Sequence, residues 1–152
     1  MKIRLLIFVS ITFFMFYYPK LIKDDGIYQI NNLEYFYTSG YGINEDVSYK
    51  INCDNKCILT IKEYGKAENE VIKVKLDSEN MEKFVSILNK DNVLSWDGFS
   101  KSNKNVLDGN SFNFRLRYND DEKLSANGYM MYPNHYKDFK NEFENYVNKL
   151  KK

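Results

Sequence analysis

The amino-acid sequence predicts an α+β fold: a mainly antiparallel sheet, built as a three-strand meander plus a later hairpin, packed against two helices and preceded by an N-terminal hydrophobic segment. Three observations lead there. Apolar and polar residues alternate over 47–53, 57–61, 71–76 and 112–118, the two-residue period of half-buried strands. Two other stretches, 81–88 and 136–150, carry apolar residues at helical spacing. Strands and helices are segregated along the chain with no repeating strand–helix–strand unit, which argues against a parallel sheet.

The hydrophobic segment comes first. Lys2 and Arg4 precede an uncharged run from Leu5 to Tyr18, the charged-then-apolar order of a secretory signal. A bilayer-spanning helix needs about 20 apolar residues, and Ile3 to Ile22 reaches that length only with Arg4 and Lys20 snorkelling toward the interfaces. Bulky Met15, Phe16, Tyr17 and Tyr18 offer no small-residue cleavage pattern. An uncleaved signal-anchor is therefore favoured over a cleaved signal peptide, with a buried cytosolic helix as the remaining alternative. Residues 1–23 read as the leader and 24–152 as a single extracytoplasmic α+β domain. The implied partner of residues 3–22 is the cytoplasmic membrane, with a single pass and the C-terminal domain outside; secretion after cleavage is the alternative.

Leu33 to Thr38 reads as a first short strand, broken at Gly40-Tyr41-Gly42. Val47, Tyr49, Ile51 and Cys53 then point one way and Ser48, Lys50 and Asn52 the other. Cys57, Leu59 and Ile61 resume the pattern after Asp54-Asn55-Lys56, which makes the pair a β-hairpin. A turn containing Gly65 leads to a strand from Val71 to Leu76, and Asp77-Ser78 supplies N-cap chemistry for a helix with Met81, Phe84, Val85 and Leu88 on one face. The stretch 89–110 reads mostly as loop, with a short strand near Val93-Leu94. Phe112, Phe114, Leu116 and Tyr118 alternate with Asn113, Arg115 and Arg117, and Asn119 to Glu122 turn this strand into a partner from about Lys123 to Met130. Pro133 suits a first helical position, opening a helix striped by Tyr136, Phe139, Phe143, Tyr146, Val147 and Leu150. One face of the sheet is expected under the helices and the other exposed.

Composition fits one packed domain: aromatic residues make up 16% of the chain, ample for a core, and charged residues 28%. The leader holds four basic residues and no acidic one, which leaves 18 basic against 21 acidic residues in 24–152. That balance argues against nucleic acid as a partner, although net charge does not exclude a local patch.

Cys53 and Cys57 are the only cysteines, placed either side of a hairpin loop. In an exported domain they are read as a structural disulfide; free thiols, or a metal or redox pair, are the alternatives. A metal site lacks companions, since the one histidine, His135, lies far along the chain. His135 stands in no recognisable nucleophile setting, the order of residues before Gly109 does not meet the calcium-loop pattern, and phosphate-binding glycine motifs are absent. No cofactor and no metal are indicated.

The most distinctive stretch is Leu94-Ser95-Trp96-Asp97-Gly98-Phe99, then Val106 to Gly109, the aromatic alternation from Phe112 to Tyr118, and Ser125 to Gly128 leading to Tyr132-Pro133. Residues 94–140 resemble small exported bacterial proteins of unknown function, a likeness that implies the fold and carries no activity. Trp96, Arg115, Arg117, Asn127 and Tyr129 are the candidate ligand-binding residues, because aromatics and arginines dominate recognition surfaces; the bland reading makes Trp96 a loop anchor and the arginine face merely solvated. The sequence thus points to a non-enzymatic, membrane-tethered envelope protein that binds a protein or envelope polymer, with an immunity or inhibitor role as one version. A small envelope hydrolase using Asp97 and Asp108, and a carbohydrate-binding module, are the alternatives.

Overall fold

The computed structural model describes residues 26–40, 46–64 and 71–152. The hydrophobic segment, its membrane partner and the Gly65 turn lie outside the described residues. Among the described residues no helix is long and apolar enough to cross a membrane.

Seven strands, β1 (Ile30–Thr38), β2 (Val47–Cys53), β3 (Cys57–Glu63), β4 (Val71–Leu76), β5 (Ser100–Ser102), β6 (Ser111–Tyr118) and β7 (Glu122–Tyr129), form one sheet. Its order is β4-β3-β2-β1-β6-β7-β5. All pairings are antiparallel except the short β5 against β7. The fold class is therefore α+β, as the alternation implies. The expected meander extends to four strands, because β1 joins it through β2 and then bridges it to the later hairpin through β6.

Two helices, α1 (Ser78–Lys90) and α2 (Tyr136–Leu150), cover one face. Asp77 caps α1 by accepting the Asn80 amide at 2.9 Å. Phe84, Ile87 and Leu88 from α1, with Tyr136, Phe139, Phe143 and Val147 from α2, are buried against the inward residues of the sheet, among them Leu33, Tyr35, Ile51, Leu59 and Phe114. Aromatic rings fill the centre: Tyr35 lies 5.5 Å from Phe139 and 5.7 Å from Phe143, both edge-on.

Two local expectations are corrected. Val93-Leu94 belongs to a 3-10 turn, Val93–Trp96, rather than a strand. Asn92 takes a left-handed conformation (φ 51°) directly after α1, and the tight turn then brings Val93 and Trp96, three residues apart, to the same buried side. Pro133 does not begin α2: His135 is also left-handed (φ 62°), which interrupts any helix from 133, and the Tyr136 amide bonds back to the Pro133 carbonyl in a preceding turn.

The entry to β1 is held by asparagine side chains. Asn119, left-handed in the β6–β7 turn, accepts the Tyr28 and Gln29 amides and donates to the Gly26 carbonyl. Asn89 clasps Ile27 at both its amide and its carbonyl. The amide groups thus stand in for a strand partner and fix where the chain enters the sheet.

Candidate functional site: the open face of the sheet

Alternation assigns every second strand residue to the face opposite the helices, and strand register sets those residues in rows. The central row runs Lys73, Thr60, Lys50, Glu34, Arg115 and Ser125 across β4, β3, β2, β1, β6 and β7. Toward the β6–β7 turn the next row holds Lys75, Ile58, Asn52, Asn32, Arg117 and Lys123. Toward the other end lie Lys62, Ser48, Phe36, Asn113, Asn127 and Ser100.

Seven of these residues are cationic and one, Glu34, is acidic. The net acidity of residues 24–152 hides this concentration, because the carboxylates stand mainly in loops and helices. Glu34 reaches Lys50 at 2.9 Å and the Arg115 guanidinium at 4.0 Å, so one carboxylate holds two cations in the middle of the face. Arg117 is oriented by Asp121, 2.7 Å away. These pairs are exposed, so their worth lies in aiming the cations rather than in stability.

Beside the cations lies an amide and hydroxyl row. Asn113 faces Asn127 across β6 and β7, and the Ser100 hydroxyl meets Asn127 Oδ1 at 3.2 Å. Phe36 and Tyr64 pack edge-on at 5.6 Å, with the Lys62 ammonium 4.9 Å over the Tyr64 ring. Among the described residues, three adjoining depressions mark this face. One depression of about 330 Å³ includes Phe36, Asn113, Asn127 and Tyr129; another of about 400 Å³ includes Glu34, Arg115, Arg117 and Ser125; a third of about 420 Å³ includes Phe36, Lys50, Tyr64 and Arg115. Together they make an extended trough rather than a closed pocket.

The sequence-derived candidates divide. Arg115, Arg117 and Asn127 stand together on this face. Tyr129 sits at its end, where the phenol donates toward the Val106 and Leu107 carbonyls and ties down the loop before β6. Trp96 does not belong to the surface: it is 0% exposed, its indole N–H donates to the Asn134 carbonyl at 2.9 Å, and Phe114 and Phe139 pack against its ring. Its three-residue offset from Val93 turns it into the core. Asp97, a candidate hydrolytic carboxylate, accepts the Ser125 amide at 3.1 Å. Cys53 and Cys57 are directly paired in register at the β2–β3 tip and are disulfide-bonded. Among the described residues no group of three or more potential metal ligands comes together.

Sequence reasoning missed Phe36, Lys50, Lys62, Tyr64 and Asn113 as parts of the site. Their signal was present as the polar half of each alternation, but their convergence depends on β1 lying between β2 and β6. Comparison with protein families, characterised proteins and solved structures yields no match to the chain.

Proposed function

We propose that the chain is a non-enzymatic, membrane-tethered binding module of the cell envelope that engages a protein or envelope polymer through the open face of its sheet. One observation carries this reading: the helices cover only one side of a seven-stranded sheet, and the other side gathers exposed cations beside amide and hydroxyl groups. A surface of about 29 Å across seven strands spaced about 4.8 Å apart suits a broad partner better than a small molecule.

The test is site-directed photo-crosslinking of the full-length chain in producing cells. A photoreactive phenylalanine replacing Ser125 samples the open face, and one replacing exposed Lys83 samples the helix layer. Adducts are expected from the Ser125 position and not from Lys83. Adducts from neither position, or equally from both, overturn the reading.

A further inference from the structure

The open face carries two kinds of chemistry in adjacent rows, and together they specify a partner more narrowly than charge alone. We propose that its occupant is an acidic polysaccharide, whose carboxylates lie along the cation rows and whose hydroxyls meet the amide row. This inference rests on the binding-module reading and names the partner of that site.

Charge complementarity is the first argument. Seven cations stand on one face of a region whose total balance is acidic, against Glu34 within the rows, Asp121 paired to Arg117 and Asp97 at the edge of the arginine depression. Such a field attracts and retains a polyanion, whereas an acidic or neutral surface elsewhere on the domain does not. Arg115 and Arg117 are two residues apart on β6; Arg117 already holds Asp121 through Nε and Nη2, whereas Arg115 meets Glu34 only at 4.0 Å, so Arg115 offers an incoming carboxylate its donors and Arg117 its remaining Nη1.

The neighbouring row is the second argument. Asn113, Asn127 and Ser100 offer donors and acceptors side by side, the complement of sugar hydroxyls that both give and accept hydrogen bonds. Single-stranded nucleic acid instead needs open aromatic platforms for its bases. Here Phe36 is half-buried and Tyr64, though 41% exposed, is a single ring with the Lys62 ammonium over it, so among the described residues the row holds no series of platforms for successive bases. The three depressions adjoin, sharing Phe36 and Asn113 on one side and Glu34 and Arg115 on the other, so an extended chain spans them better than a compact ligand does.

Glu34 supplies an internal control. It occupies Lys50 and competes with any incoming anion for Arg115, so its neutralisation strengthens anion binding while arginine neutralisation weakens it. Gain of binding in Glu34→Gln is not an outcome that misfolding produces.

The experiment is affinity electrophoresis of full-length protein in non-ionic detergent. The gels contain polygalacturonate, its fully methyl-esterified neutral form, inorganic polyphosphate or single-stranded DNA. Polygalacturonate is expected to retard the protein and the neutral polymer is not. Arg115→Gln with Arg117→Gln lowers the affinity about tenfold, Glu34→Gln raises it, and Asn113→Ala with Asn127→Ala weakens retention by polygalacturonate but not by polyphosphate. No retardation by polygalacturonate, retention indifferent to the arginines, equal loss on both polyanions in the asparagine variant, or stronger retention by DNA each overturns the inference. The crosslinked species from Ser125 separates this failure from failure of the module itself. A heterodisperse ladder degraded by polysaccharide lyase supports the acidic glycan; a single sharp protein band overturns it yet keeps the binding module; no adduct overturns the binding module as well.

Discussion

The hydroxyls of Tyr35 and Tyr136 meet at 2.8 Å in the interior, joining the central strand β1 to the first turn of α2. Both phenols are buried, and burial pushes each above its ordinary ionisation range. They satisfy one another as neutral groups, in a setting where apolar rings surround them.

Removing one partner should therefore cost more than removing both. Tyr136→Phe leaves the Tyr35 hydroxyl without that partner and is expected to destabilise the fold by about 1–3 kcal/mol. The double variant Tyr35→Phe/Tyr136→Phe is expected to recover part of the loss. Urea unfolding of the four proteins in the cycle checks this; additive losses would show that the pair is not coupled.

Trp96 sits where truncation opens a cavity. Trp96→Ala is expected to cost about 3–5 kcal/mol, enough to lower the thermal midpoint sharply whatever the partner is. Circular dichroism melting measures it, and a midpoint close to wild type would place the indole outside the core.

The Cys53–Cys57 ring spans a four-residue separation, so its contribution through chain entropy is small, about 2 kcal/mol. Reduction is expected to lower the urea midpoint modestly while the β2–β3 hairpin persists, because the strand ladder continues to Glu63 on β3. Amide hydrogen exchange with and without reductant tests this, and global loss of protection on reduction would contradict it.

Asp91 is 3% exposed at the end of α1, and its Oδ2 has no hydrogen-bond partner among the described residues. Burial first, and then the Glu142 carboxylate, raise its carboxyl above the ordinary value; Asp138 adds to the shift, while Lys90 and His135 oppose it. A carboxyl raised on folding binds its proton more tightly in the native state. Its effect on stability is thus most favourable below the unfolded value of about 3.9 and is lost as the pH rises through the folded value. Asp91→Asn should be more stable than wild type near neutral pH, with the advantage shrinking as the pH falls through the raised folded value and gone below about 3.9. Urea midpoints across that range decide it, and a deficit at neutral pH would refute the penalty.

The sequence exposed the periodic elements and concealed the non-local ones. Strands β2, β3 and β6 were legible because one side of each is buried, and α2 because its stripe continues from Tyr136 to Leu150. Strand β5 left no trace: Ser100, Lys101 and Ser102 are all exposed and paired only through backbone to β7. Trp96 carried two readings, ligand surface and loop anchor, because a loop tryptophan reads alike whether it faces solvent or core; its full burial beyond the left-handed Asn92 fits the anchor. Arg115 and Arg117 were recognisable as a shared face, whereas their approach to Glu34 and Lys50 requires knowing that β1 separates β2 from β6.

That position of β1 makes it a seam between two separately contiguous pieces of chain. On one side the meander pairs neighbours in sequence; on the other, β6 and β7 close their own hairpin. Thr38 and Ser111, whose hydroxyls lie 3.1 Å apart, are separated by 73 positions, so among the strand pairings the seam is the one that needs the longest loop closed. During synthesis β1 carries one zipped edge and one waiting edge until the last third of the polypeptide emerges. A chain nicked in the loop between β5 and β6 would accordingly yield two fragments with complementary edges, able to rebuild the sheet by β6 docking on β1 while the short β5 docks on β7.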